Sequence, residues 1–342
     1  MNREIAEHKA EHETMGREVS AAMSGENAAL GQGTANPKAM TCATVRALCQ
    51  LNTEFYERNA ASFSQTRTAP WEGWRRCMAA CGFDDSDGAA PGQPVDAQIA
   101  DSVLDIACGN LRFETFLANA YPHIDWSFFA VDNCEPLVAS GQEDVAKKVH
   151  FTCEDIVSNL LDGLPAAEPA NVPALAAATP FDLVVSFGFL HHIPSFDLRR
   201  QFLLEALSQV KPGGYLVVSF WQFLNDSAKR AKIEQTHAEA LAFFEGSLEP
   251  NDYLLGWKNE PGNYRYCHHF SNEEIDRIIA ALAPHATVVE SFSADGKPGN
   301  LNRYVVFKRK ELPIDSIPVT NALSSMTDEE IRQHKVKMLV EE

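Results

Sequence analysis

From residue 102 onward the chain alternates short apolar runs with longer amphipathic stretches. The runs are SVLDIAC from Ser102, WSFFAVD from Trp126, VHFTCED from Val149, FDLVVSF from Phe181 and YLVVSFW from Tyr215. Between them LRFETFLANAY, PLVASGQEDVA and LRRQFLLEALSQV read as helices. In the last, Leu198, Phe202, Leu203, Ala206, Leu207 and Val210 recur at helical spacing. The KPGG that follows predicts a helix C-cap and a turn. Buried apolar runs alternating with helices predict a mostly parallel sheet covered on both faces. TVVESF and NRYVVFK, near the end, predict an antiparallel hairpin at the sheet's edge. The expected fold class is therefore α/β, with seven strands.

The flanking segments divide the chain further. Residues 1–40 lack apolar periodicity and predict a flexible tail. Residues 41–100 predict a helical cap, interrupted around Ser62–Pro70 and restarting at Trp71, then an acidic loop over 84–101. Residues 101–310 hold the sheet, and 311–342 form an acidic C-terminal tail with a helix expected from Thr327. Within the sheet domain, a Pro/Ala-rich insertion between Leu160 and Pro180 predicts a surface loop. Residues 222–270 interrupt the alternation as a lid: a helical stretch, then the aromatic, polar segment DYLLGWKNEPGNYRYCHHF. Ser271 and Glu274 open the next helix as a capping box.

Composition narrows the class. At 342 residues, 45% hydrophobic and 22% charged, the chain is that of a globular protein and not of a disordered or collagen-like one. No apolar run reaches the ~18–20 residues of a membrane span. The polar, Glu- and His-containing start MNREIAEHKAEHET resembles no leader, which makes the cytoplasm the expected compartment. A net charge of −18 counts against an unaided nucleic-acid binder but leaves room for a local cationic strip. The eight scattered cysteines read as free thiols. Cys77 and Cys81 lie one helical turn apart with no second pair at zinc spacing, so no metal is expected.

The most informative stretch is Val103-Leu104-Asp105-Ile106-Ala107-Cys108-Gly109-Asn110, a strand running into a tight turn and a helix. Ligands of open α/β sheets sit beyond the carboxyl ends of the strands. Small Ala107 and Gly109 would let the backbone approach one. Asp132, 27 residues after Asp105, closes the second strand where a carboxylate can accept from both hydroxyls of a ribose. Asp155 closes the third, within reach of an adenine amino group. A nicotinamide-dependent enzyme would want G-x-G-x-x-G after the first strand, and the chain lacks it.

The set VLDIACGN, AVD, CEDI, FDLVVSFGFLHHI and VKPGGYLVV resembles, in order and spacing over about residues 100–222, the five motifs of class I S-adenosylmethionine (SAM) methyltransferases. The resemblance implies a Rossmann-like fold and SAM as cofactor. Ala107 and Leu111 stand where that family usually has the first and last of three glycines.

Two flanking segments extend the likeness. Phe55-Tyr56-Glu57-Arg58, Ser62-Phe63-Ser64-Gln65-Thr66-Arg67-Thr68-Ala69-Pro70-Trp71 and Arg265-Tyr266-Cys267-His268-His269-Phe270 resemble segments of the tRNA wobble-uridine methyltransferases that esterify 5-carboxymethyluridine. That implies a catalytic set of Arg67, His192 and Arg265. It implies cofactor contacts from Tyr56, Arg67, Asp105, Ala107, Gly109, Asp132, Asn133, Asp155, Ile156, Ser186 and Phe187. Acceptor contacts would come from Trp71, His192, Trp257, Arg265 and His268. The implied partner is tRNA, held through phosphate contacts of Arg303, Lys308, Arg309, Lys310, Lys229, Arg230 and Lys232, with a small activating partner protein as in the eukaryotic relatives. Two readings stay open beside it: a small-molecule O- or N-methyltransferase on the same fold, and a SAM-binding scaffold without catalysis. No membrane is involved in any of them.

Overall fold

The computed structural model describes residues 40–83, 102–163 and 180–311. The expected N-terminal tail, the acidic loop, most of the Pro/Ala insertion and the C-terminal helix from Thr327 lie outside the described residues. Helix α1 (Cys42–Ser64) starts on Thr41, whose hydroxyl accepts the Thr44 amide at 3.2 Å, and α2 spans Glu72–Ala80. Next come β1 (Ser102–Ile106), α3 (Arg112–Ala120), β2 (Ser127–Asp132), two single turns α4 (Glu135–Val138) and α5 (Glu143–Ala146), β3 (Val149–Cys153) and α6 (Ile156–Leu161). After the insertion come β4 (Phe181–Ser186), α7 (Phe196–Ser208) and β5 (Val210–Trp221). The lid holds α8 (Ser227–Leu241), β6 (Asp252–Gly256) and β7 (Tyr264–His268); α9 (Asn272–Leu282), β8 (Ala286–Ala294) and β9 (Asn302–Arg309) complete the described chain.

Seven strands form one sheet in the order β3-β2-β1-β4-β5-β9-β8, with β9 antiparallel to both its neighbours and the other pairs parallel. This is the mostly parallel sheet with an antiparallel edge expected from the pattern, and the Rossmann-like fold that the motif resemblance implies. Side chains alternate across a strand, so each strand feeds two cores. Leu104, Ile106, Val184, Leu216 and Val218 meet α7 and α9 through Phe202, Leu203 and Ile278. Val103, Leu183, Val185, Val217 and Tyr304 meet α2 and α3 through Trp74, Phe113 and Leu117. With both faces buried, the strands read as continuous apolar runs. Gly73 lets α2 lie directly on Tyr304, since a Cβ there would come within 2.2 Å of that ring.

Two expectations need correction, and one segment takes a form that was not predicted. KPGG does not cap α7, which ends at Ser208; Lys211–Gly214 form the irregular opening of β5, where the register to β4 shifts between Phe181 and Leu183. The Arg309 guanidinium reaches into this opening and donates to the Ser208 and Val210 carbonyls. PLVASGQEDVA makes two isolated turns rather than one helix. The aromatic half of the lid is a second small sheet, β6 antiparallel to β7.

Candidate active site

The strand order reverses between β1 and β4, and the clefts open at the carboxyl ends of these strands. The turn after β1 takes three left-handed residues in five: Ala107 (φ 65°), Gly109 (φ 58°) and Leu111 (φ 56°). Its amides are satisfied from β2: Ala107 and Cys108 donate to the Val131 carbonyl at 2.8 and 3.1 Å, and Gly109 donates to Asp132 Oδ2 at 2.9 Å. Asp132 Oδ1 accepts the Cys134 amide at 2.9 Å. The carboxylate is thus fixed by two backbone donors with lone pairs left over. Asn110 ties the turn to α1, donating to Ser64 Oγ (2.9 Å) and to the Arg67 carbonyl (3.1 Å).

Around this turn lies a cleft with about 1100 Å³ of empty space, partly open to solvent. Asp105, Ala107, Gly109, Asp132 and Asn133 line it from β1 and β2. Asp155, Ile156, Phe187 and His192 line it from β3, β4 and the loops after them. Tyr56, Arg67 and Trp71 close it from the helical cap. Asp155 also caps α6, accepting the Ser158 amide at 3.0 Å through one oxygen. These residues fit SAM. A pinned acidic side chain faces where a ribose would lie, small residues clear the backbone path, and Arg67 offers a guanidinium without an acidic partner among the described residues.

A second, wider cleft shares Tyr56, Phe63, Arg67, Trp71, Arg112 and Gly188 with the first and continues past them to His191, Trp221, Trp257 and Arg265. The Arg67 guanidinium lies 3.3 Å from the centre of the Phe63 ring, and its Nη1 donates to Thr66 Oγ1 at 2.8 Å. Arg265, on β7, is 6% exposed and stands among Phe55, Phe63, Trp221 and Trp257, with ring centres 5.0–5.8 Å away. Its Nε and Nη1 have no hydrogen-bond partner among the described residues.

Between the clefts sits a polar chain. His192 Nδ1 is 2.9 Å from the Tyr266 carbonyl, which can only accept, so Nδ1 carries the proton. Nε2 then accepts from the Tyr56 hydroxyl at 2.8 Å. Burial and the nearby Arg265 charge push His192 down to about 3, leaving the ring neutral. Burial pushes Tyr56 up to about 12, against the pull of Arg265. The pair is neutral at physiological pH, with its one shared proton on the tyrosine. His191, His192 and Cys267 also bring three metal-ligand atoms within 4.8 Å of one another. The Arg265 charge bears on all three residues and opposes a cation there.

Two expected site residues stand elsewhere. Ser186 is fully buried and ties β4 to β1, donating to the Ile106 carbonyl at 3.0 Å. His268 faces away from Arg265 along β7, with Nδ1 2.7 Å from Asp252 and Nε2 2.7 Å from Glu274. Other residues were missed. Asn52 accepts the Tyr266 amide at 2.8 Å and so holds β7 against His192; Asn59 exchanges two amide hydrogen bonds with Asn263 at 2.9 and 3.1 Å. Their signal was available, since asparagines at 52 and 59 sit on the otherwise apolar stripe Val45, Leu48, Phe55 of α1.

Residues 103–214 match the family described as a methyltransferase domain. The match spans the strands and the turn that build the cleft, about a third of the chain, and marks that stretch as a methyltransferase domain with SAM as its methyl donor. The chain is 24% identical over 244 residues, 70% of this chain and 91% of the relative, to a protein of Encephalitozoon cuniculi (strain GB-M1) whose name assigns it provisionally to the methyltransferases. Among solved structures it is similar to a SAM-dependent methyltransferase from Methanosarcina mazei (18% identity, TM-score 0.44, 65% of this chain and 99% of that one). It is also similar to the N-methyltransferase NodS from Bradyrhizobium japonicum WM9 (14% identity, TM-score 0.41, 78% and 99%). No described helix is long and apolar enough to cross a membrane.

Proposed function

We propose that the chain methylates a carboxylate carried on a planar ring, and that the acceptor is the carboxymethyl group of a modified wobble uridine in tRNA. The observation that supports this is Arg265. A buried guanidinium with two of its nitrogens unmatched among the described residues, walled by four aromatic rings, fits an anionic group on a flat body that enters between the rings. When bound, SAM supplies an electrophilic methyl on a sulfonium. A carboxylate is already ionised at pH 7, so the protein need only aim it and exclude water. Arg265 and Arg67 hold the oxygens, while Tyr56, Phe63, Trp71 and Trp257 close the cleft around them. Tyr56 and His192 fix each other's orientation, and Asn52 holds the strand that carries Arg265.

A second reading, a small-molecule O- or N-methyltransferase, is favoured by two features. The Tyr56 hydroxyl, which donates to His192 Nε2, keeps oxygen lone pairs that can accept a hydrogen bond from an uncharged amine or hydroxyl acceptor. The cations expected to meet phosphates are also largely engaged: Arg309 is buried, Lys310 donates to the Ala283 carbonyl, and Lys229 pairs with Asp226. For tRNA, a small basic partner protein would offset the chain's charge of −18.

The test is methyl transfer from labelled SAM to tRNA bearing 5-carboxymethyluridine, with nucleosides read by mass spectrometry. A base-labile methyl ester on uridine is expected, and Arg265→Ala should lower kcat/KM by at least about 100-fold, the ~3 kcal/mol of a charge-assisted pair. Methylated amine or hydroxyl products, with no ester on tRNA, would establish the second reading.

A further inference from the structure

Two adjacent histidines, His191 and His192, share the short turn Leu190–His192 after β4, and their surroundings divide them. His192 lines the cofactor cleft and is closed on both sides: Nδ1 donates to the Tyr266 carbonyl at 2.9 Å, and Nε2 accepts from the Tyr56 hydroxyl at 2.8 Å. Neither ring nitrogen is left for a methyl acceptor. His191 lines the wider cleft instead. Its ring centre lies 4.0 Å from that of His192 and 4.7 Å from that of Trp221. The Arg265 guanidinium stands 5.8 Å from the centre of the same Trp221 ring. One indole thus sets both groups along the same cleft.

His191 is 6% exposed, and its Nδ1 is buried without a hydrogen-bond partner among the described residues. Contact with the cleft therefore falls to Nε2. A neutral imidazole carries one proton. An orphaned buried N–H is a rarer defect in proteins than an unmatched acceptor, which puts the proton on Nε2 and leaves a bare lone pair at Nδ1. His191 and His192 are then opposite tautomers, side by side. The groups that bear on His191 are His192 in its own turn, Arg67 from the helical cap, and Arg265 and His268 from β7. Cys267 of β7 also brings its Sγ within 4.8 Å of a His191 nitrogen. Burial, with His192 and the two arginines adding to it, holds His191 well below its ordinary 6.5. At pH 7 the ring is neutral, a poor base toward an acceptor's proton but still a donor.

We propose that His191, and not His192, is the histidine that meets the methyl acceptor, and that its neutral Nε2–H joins Arg265 in donating to an anionic oxygen there. The proposal rests on the carboxylate reading of the wider cleft. One carboxylate oxygen accepts from the two donors, and the other stays free to take the methyl group. No proton changes place. An uncharged amine would meet two donors, with neither able to receive its proton. His191 is in this way an acceptor-binding, specificity-determining residue, while His192 positions Tyr56 and β7.

Two measurements test it. Long-range proton–nitrogen NMR of the full chain, labelled with ¹⁵N-histidine at pH 7, reads each tautomer without any substrate. The protonated nitrogen is expected to be Nε2 in His191 and Nδ1 in His192, with His191→Gln and His192→Gln used for assignment. A proton on His191 Nδ1, or an imidazolium, overturns the neutral donor. The second measurement is methyl transfer to tRNA bearing 5-carboxymethyluridine. His191→Phe keeps a ring without the N–H and should lower kcat/KM by about 10–100-fold, the range for a hydrogen bond to a charged group. His191→Gln restores an N–H and should recover most of that loss, with SAM affinity by calorimetry unchanged in both variants. A rise of kcat/KM with pH between about 6 and 8 that His191→Gln removes would mark a base and overturn the donor. A methyl ester formed equally well by His191→Phe overturns the role of His191 alone. Absence of any ester with the opposite tautomers intact overturns the carboxylate reading itself.

Discussion

Ala107 and Leu111 hold the same left-handed backbone for which the related motif uses glycine, and they differ in what their side chains do there. For an L-residue this conformation costs roughly 1–2 kcal/mol. Ala107 has only a half-buried methyl to set against the cost. Leu111 is 1% exposed and packs with Cys108, Ala130 and Val138 beneath the turn. Ala107→Gly should therefore raise unfolding stability by about 1 kcal/mol in urea denaturation. Leu111→Gly should lower it by about 2 kcal/mol or more as the cavity outweighs the relieved backbone. A fall in stability with Ala107→Gly would mean that the turn is not strained. The position of this turn was legible in the sequence, because a strand, small residues and a helix pattern follow in order. The sign of each departure from glycine was not, because it depends on residues from β2 and α4 that pack beneath.

At the level of elements, the parallel strands were legible because both their faces are apolar, and the lid hairpin was not, because β7 buries polar side chains on both its faces. Arg265 lines the wider cleft and Cys267 packs with Phe223, Leu224 and Leu255; Tyr266 and His268 meet a charge network, and all four are buried. An aromatic, polar string is what such a strand looks like. The network itself joins elements far apart in sequence. Arg199 of α7, 1% exposed, pairs with Glu274 of α9 at 3.0 Å, and Glu274 meets His268, which meets Asp252, which accepts from the Tyr266 hydroxyl at 2.8 Å. Nothing local distinguishes Arg199 from half-exposed Arg200 beside it. The partner is 75 residues away. Replacing Arg199 with Met leaves Glu274 and Glu249 without their cation and should cost about 3–5 kcal/mol in urea unfolding. A loss below about 1 kcal/mol would show that the network sets the lid's position without stabilising it.

For the whole molecule, charge decides how a polyanion could bind. A tRNA-binding surface that neutralises 6–10 phosphates loses about 10³–10⁵ in affinity between 50 and 200 mM salt. This chain carries −18, and each of its candidate cations has a neutral contact within the chain, Arg303 with Ser291, Arg230 with the Leu224 carbonyl, Lys232 with Asn259 and Lys308 with the Tyr215 ring, although Arg230, Lys232 and Lys308 stay exposed. Salt also screens the repulsion between two acidic bodies. If tRNA is the acceptor, the unaided chain should show less than about a tenfold rise in tRNA KM across that range, as expected for only one or two phosphate contacts. Recognition would then rest on the unstacked base between the rings around Arg265, where salt has little reach. A steep salt dependence in the purified chain would place a cationic surface outside the residues considered above and move the search for tRNA contacts there. If the steep dependence appears only on adding a small basic protein, that protein carries the phosphate contacts.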